Sequence, residues 1–187
     1  MASGEPDLLI RDPWVTRRPP TVAAYHKMGE VGILTEDDRV ELIEGQLVAM
    51  SPIGSHHSGT INALSRNLVL TVGYRGVVAV RNPVRRDDLS ELQPDFMILR
   101  PKDDDYREAT PRPQDVLLIV EVADSSLAYG CNVEQALYAR HGIPEFWIVN
   151  ILAQQVEVCR APANGDYTSI LLIGRDGVLE PGNHIGY

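Results

Sequence analysis

A chain of 187 residues, 44% hydrophobic and 23% charged, is long enough for one α/β or α+β domain with its own core. The formal net charge of −9 sets the surface as a whole against a polyanion, so any contact with nucleic acid has to be local or metal-assisted. No run approaches the roughly 18 consecutive apolar residues of a membrane span, and the start lacks a basic head followed by an apolar run; the expectation is a soluble, cytoplasmic protein with no membrane partner.

Cys131 and Cys159 cannot build a disulfide framework or a CxxC pair, and their expected role is packing. All but Lys27 and Lys102 of the 17 basic residues are arginine. Residues 1–20, with Pro6, Pro13, Pro19 and Pro20, lack periodicity and read as an extended arm; residues 21–187 read as a single domain.

Thr21 is placed to cap a short helix that carries Val22, Ala23, Tyr25 and His26 and stops at Gly29. The run RVELIEGQLVAMS, broken at Glu44-Gly45, predicts two short antiparallel strands joined by a tight turn, with Glu41 and Ile43 on one face and Leu42 on the other. Ile61, Leu64 and Leu68 recur at helical spacing, predicting an amphipathic helix from near Ser55 to Gly73. Strand candidates follow in GVVAVRN, PDFMILR, DVLLIVEVA, EFWIVN, QQVEVCR and YTSILLIG, with a helix over NVEQALYAR closed by Gly142. VLLIVEV and FWIVN are apolar almost throughout, as central strands covered on both faces are. PKDDDYREATPRPQD reads as a surface loop. The fold class expected is mixed α/β, or α+β, with one central β-sheet flanked by helices.

Carboxylates inside apolar strands are the anomaly, because a buried carboxylate must be paired, protonated or bound to a cation. Glu41 sits within VELIE, Asp95 opens the strand after Pro94, and Glu121 lies inside LLIVEVA. Taken singly, Asp95 could cap a turn, Glu41 could face water and Glu121 could pair with an arginine. Taken together, three acids from three elements form a hard-oxygen site suited to Mg²⁺ or Mn²⁺, and to phosphodiester hydrolysis with that cation.

The stretches VELIEGQLVAMSPIGSHH, QPDFMILRP, LLIVEVADSSLAY and LYARHGIPEFWIVN, in that order, resemble the signature blocks of the putative restriction endonuclease family, within the PD-(D/E)XK nuclease superfamily. The resemblance implies a restriction-endonuclease-like core, DNA as substrate, a homodimer, and Glu41, Asp95 and Glu121 as metal ligands. It also implies an aspartate and a lysine where this chain has Gly130 and Glu134. Residues four apart share a helix face, so one patch has lost an anion and reversed a cation. Glu134 could ligate the metal through water, and Gln135 could orient the nucleophile in the lysine's place. His57, after His56, falls where the family has a histidine near its active site.

Arg75, Arg81, Arg85 and Arg86 cluster before the Asp95 strand and could touch phosphate, although Arg85 and Arg86 next to Asp87 and Asp88 read more simply as a locally paired turn. Three functions compete at this level: a Mg²⁺-dependent endonuclease on DNA, of reduced activity because of Glu134; a catalytically inactive nuclease-fold binding or assembly module; and a hydrolase of another phosphodiester.

Overall fold

The computed structural model describes residues 18–35, 37–50, 54–124, 128–179 and 181–182, so that most of the expected arm lies outside the described residues. Helix α1 (Val22–Glu30) begins at Thr21, whose hydroxyl accepts from the Ala24 N–H at 3.2 Å, and runs one residue past Gly29. Strands β1 (Val40–Ile43) and β2 (Gln46–Ala49) pair antiparallel. Glu44 and Gly45 both take positive φ, 48° and 73°, the twist a two-residue hairpin turn requires.

Helix α2 (Ser55–Val72) buries Ile61, Leu68 and Val72 on one stripe. The chain then forms β3 (Val77–Val80), two very short strands β4 (Val84–Arg85) and β5 (Glu91–Leu92), β6 (Phe96–Leu99) and β7 (Val116–Ala123). Helix α3 (Ala128–Arg140) leads to β8 (Glu145–Asn150), β9 (Gln155–Ala163) and β10 (Asp166–Gly174).

The strands form two sheets where one was expected. The larger has the order β10-β9-β8-β7-β6-β3 and the smaller β2-β1-β5-β4. In the larger sheet only β7 and β8 are parallel, with α3 as their crossover. Alternation then sorts the core. Phe96, Ile98, Leu118, Val120, Val122 and Trp147 pack on the face covered by α2, with Ile61, Leu68 and Val72. Met97, Leu99, Ile119 and Phe146 pack on the opposite face with Tyr138 and Ala139 of α3 and with Val84 and Leu92 of the small sheet. Strands β6, β7 and β8 are thus covered on both sides, as their unbroken apolar runs imply. Among the described residues no helix is long and apolar enough to cross a membrane.

Candidate active site

The antiparallel register of β6 and β7 sets Phe96 opposite Val120 and Met97 opposite Ile119, so one step further back Asp95 lies across from Glu121. Residues directly opposite in an antiparallel pair point to the same face, here the α3 face. The two acids are stitched together through the backbone: the Asp95 N–H donates to Glu121 Oε2 at 3.4 Å, and the Val122 N–H donates to Asp95 Oδ2 at 3.0 Å. The second Asp95 oxygen faces His57 Nε2 at 3.1 Å and Arg81 Nε at 3.4 Å.

Glu41 approaches from the small sheet. It is 8% exposed; its Oε1 accepts the Gln93 N–H at 3.1 Å, while its Oε2 is buried with no hydrogen-bond partner among the described residues. Leaving such an oxygen unsatisfied costs about 1–3 kcal/mol, and more for a charged group. From α3, the buried Tyr138 hydroxyl donates to Glu121 Oε1 at 3.2 Å. Glu134, one helical turn earlier on the same face, is half-buried beside the other acids.

The electrostatics follow from this crowding. Burial, and then the repulsion of Glu134, Asp95 and Glu41, lifts the Glu121 carboxyl well above the usual carboxylate range. Burial, with Glu41 and Asp95 behind it, pushes Glu134 up to about 8. Glu41 is raised by burial, with Asp95 adding to the rise and the Gln93 N–H and Arg39 opposing it. As the side chains stand, among the described residues no three His, Cys, Asp or Glu groups are close enough to form a finished metal cage.

Of the residues singled out from sequence, Glu41, Asp95, Glu121, Glu134 and His57 are therefore brought together, and His56 is exposed. Gln135 is not among them: its amide nitrogen lies 3.5 Å from Asp166 Oδ1 of β10, because the next helical position rotates away from the Glu134 face. Gly130 falls in the first turn of α3, where side chains 128–132 lie outside the described residues.

Both lysines are engaged elsewhere, Lys27 with Glu30 at 2.8 Å and Lys102 with Asp104 at 2.9 Å. Of the four clustered arginines Arg81 reaches Asp95. Arg75 closes on the last carbonyls of α2, and Arg85 pairs with Asp88 at 2.6 Å as the local reading expected. Arg86 departs from that reading, being buried with one nitrogen on the Leu137 carbonyl at 2.9 Å. Sequence reasoning missed Tyr138; its spacing of four from Glu134 gives it the same helix face and does not by itself reveal the contact with Glu121.

The sequence over residues 22–183 matches the model of the Uma2 family, described as putative restriction endonuclease. The chain belongs to this family. A solved structure from Anabaena variabilis, described as a putative nuclease belonging to DUF820, is similar with a TM-score of 0.67 and 15% sequence identity, covering 89% of this chain and 92% of that one. At that identity the likeness establishes the fold, which is restriction-endonuclease-like. No curated protein matches the sequence. Within the Uma2 fold the acids lie at the end of β6 and β7 and on the facing elements β1 and α3.

Proposed function

We propose that this Uma2 chain is a metal-dependent endonuclease that hydrolyses DNA phosphodiesters, with Mg²⁺ or Mn²⁺ held by Asp95, Glu121 and Glu41 and with Glu134 at the margin of the same site. The observation that carries this reading is the convergence of four acids in which one buried oxygen, Glu41 Oε2, has no donor among the described residues. An all-oxygen, mutually repelling donor set fits a hard divalent cation and does not fit zinc. When bound, such a cation supplies Lewis-acid polarisation of the phosphodiester and offsets the repulsion among the acids.

The protein's own groups do the rest. The Val122 N–H and His57 fix the two oxygens of Asp95, and the Tyr138 hydroxyl fixes Glu121, so neither carboxylate has to be reorganised when substrate arrives. In the hydrolysis a water oxygen bonds to phosphorus, the ester P–O bond breaks, and the leaving oxygen departs with a proton. DNA as substrate goes with a cytoplasmic site of action. A homodimer is supported by β10, an edge strand that exposes Ile170, Leu171 and Leu172; light scattering that reports monomer mass at micromolar concentration removes this part of the proposal.

The deciding experiment pairs calorimetric titration of Mn²⁺ with nicking of plasmid DNA. The expected result is saturable Mn²⁺ binding that Asp95→Asn abolishes, with cleavage lost in parallel. Binding of equal affinity in the variant defeats the metal site. A wild-type protein that binds Mn²⁺ and cleaves neither single- nor double-stranded DNA turns the reading to the inactive nuclease-fold module, which the net charge of −9 and Glu134 favour.

A further inference from the structure

A phosphodiester that approaches four acids is repelled by each of them, so each nearby protein cation counts. Arg39 lies on the Glu41 side of the cluster. On the Asp95 side stands Arg81, the residue that follows β3. Its backbone turns out of the strand with φ 53°, a conformation that costs a non-glycine residue on the order of 1 kcal/mol. The turn is pinned by the Arg81 N–H donating to the Asp95 carbonyl at 3.1 Å, so the same residue grips Asp95 by main chain and side chain.

Only Nε of the guanidinium is used, at 3.4 Å from Asp95 Oδ1. Its two terminal nitrogens have no hydrogen-bond partner among the described residues, and the side chain is 34% exposed. A guanidinium held at Nε presents a planar pair of donors in the geometry that matches two oxygens of a phosphate.

We propose that Arg81 binds the phosphate of the nucleic-acid strand directly, its terminal nitrogens donating to the non-bridging oxygens while Nε stays on Asp95. This inference rests on the endonuclease reading and names the group that receives the substrate's charge. The alternative role for Arg81 is internal: it neutralises Asp95 and never meets a ligand. The two roles differ in salt dependence, because a phosphate contact releases a counterion from the nucleic acid and an internal ion pair does not.

The test is binding of a fluorescent DNA duplex, with Ca²⁺ in place of Mg²⁺ to suppress cleavage, across a series of salt concentrations. Arg81→Ala should weaken binding roughly ten- to a hundredfold, as expected for loss of hydrogen bonds to a charged group. It should also lower the slope of log affinity against log salt by about 0.9, the share of one phosphate contact on duplex DNA. Arg81→Lys should keep the slope while losing part of the affinity, and Arg81→Gln should lose the slope; this pair carries the test if the alanine variant fails to fold. Mn²⁺ affinity should be unchanged or tighter in Arg81→Ala, since a cation is removed beside Asp95. An unchanged slope and affinity in Arg81→Ala and Arg81→Gln, with wild type still binding and cutting DNA, overturns the assignment of Arg81 and leaves the endonuclease reading standing. Wild-type protein that holds Mn²⁺ yet neither binds nor cuts DNA overturns both.

Discussion

Two glutamates of the large sheet, Glu145 buried and Glu121 half-buried, end in opposite states. Glu145, at the start of β8, is 0% exposed, and its oxygens take Arg160 Nε at 2.9 Å and Nη2 at 2.7 Å, the Trp147 indole at 2.7 Å and the Gly182 N–H at 2.7 Å. Glu121, on neighbouring β7, takes a phenol at 3.2 Å and a backbone N–H at 3.4 Å, and faces three other acids. Burial alone therefore does not mark the functional carboxylate. What separates them is the balance of donors: the fold sets a guanidinium directly on Glu145, whereas the donors on Glu121 among the described residues are a neutral phenol and a backbone N–H.

The largest expected effect comes from breaking the completed pair. Arg160→Met leaves the Glu145 charge buried without its cation, a change that costs about 3–5 kcal/mol in comparable sites. The loss should be read from the denaturant midpoint, and the low end is expected because the indole and the Gly182 N–H remain. Glu121→Gln, by contrast, removes repulsion and should leave the metal-free protein as stable or more so. If Glu121→Gln costs as much as Arg160→Met, the distinction between the two acids fails.

A second, smaller effect is a pH dependence that belongs to the Glu121 side alone. Glu134 lies at about 8 in the folded protein against an ordinary value of 4.5, and Glu121 is displaced the same way. The folded state thus holds protons that the unfolded chain has released. Its stability is fully present below about pH 4.5 and falls as pH rises through about 8, by on the order of a few kcal/mol. Thermal melts of metal-free protein from pH 5 to pH 8.5 should show this decline. Glu134→Gln should flatten it, and Mn²⁺ should offset it at the upper end. A flat profile in wild type would show that neither burial nor mutual repulsion holds protons on these acids.

How far the sequence foretold these states depends on the length scale of each signal. The strand Glu145–Asn150 and the helix Ser55–Val72 emerge at the bounds their patterns suggest, because apolar runs and helical spacing extend over many residues. Strands β4 and β5 do not, since two residues are too few to display alternation, and with them went the second sheet that delivers Glu41. Glu41, Asp95 and Glu121 were legible as charges in apolar strands. Glu145 was not, because a glutamate just after Pro144 reads as a strand end in water, and Arg160 is 15 residues away. Gln135 was expected to serve the site from sequence proximity to Glu134, but one helical step turns it to β10. Tyr138 was not singled out; it is core, and that its hydroxyl also reaches Glu121 depends on how α3 crosses β7, which no local pattern encodes.

The smallest expected effect sharpens the comparison most, because it removes one neutral donor from each glutamate. Tyr138→Phe keeps the ring, which packs against Phe146 with centroids 5.1 Å apart, and deletes only the hydroxyl on Glu121 Oε1. The cost in stability should be about 1 kcal/mol, the usual net value of one hydrogen bond. The cost in Mn²⁺ affinity should be larger, roughly ten- to a hundredfold, because a ligand that loses its orienting partner must be positioned by the cation itself. Trp147→Phe likewise deletes a donor to Glu145, and there two Arg160 nitrogens still hold the same oxygen, Oε1. That variant should lose stability through the smaller ring and leave Mn²⁺ titration unchanged. Calorimetry on the two variants side by side decides the matter. A Tyr138→Phe protein that binds Mn²⁺ as tightly as wild type would show that the hydroxyl serves packing alone, and that Glu121 is held in place by the Asp95 N–H and the strand itself.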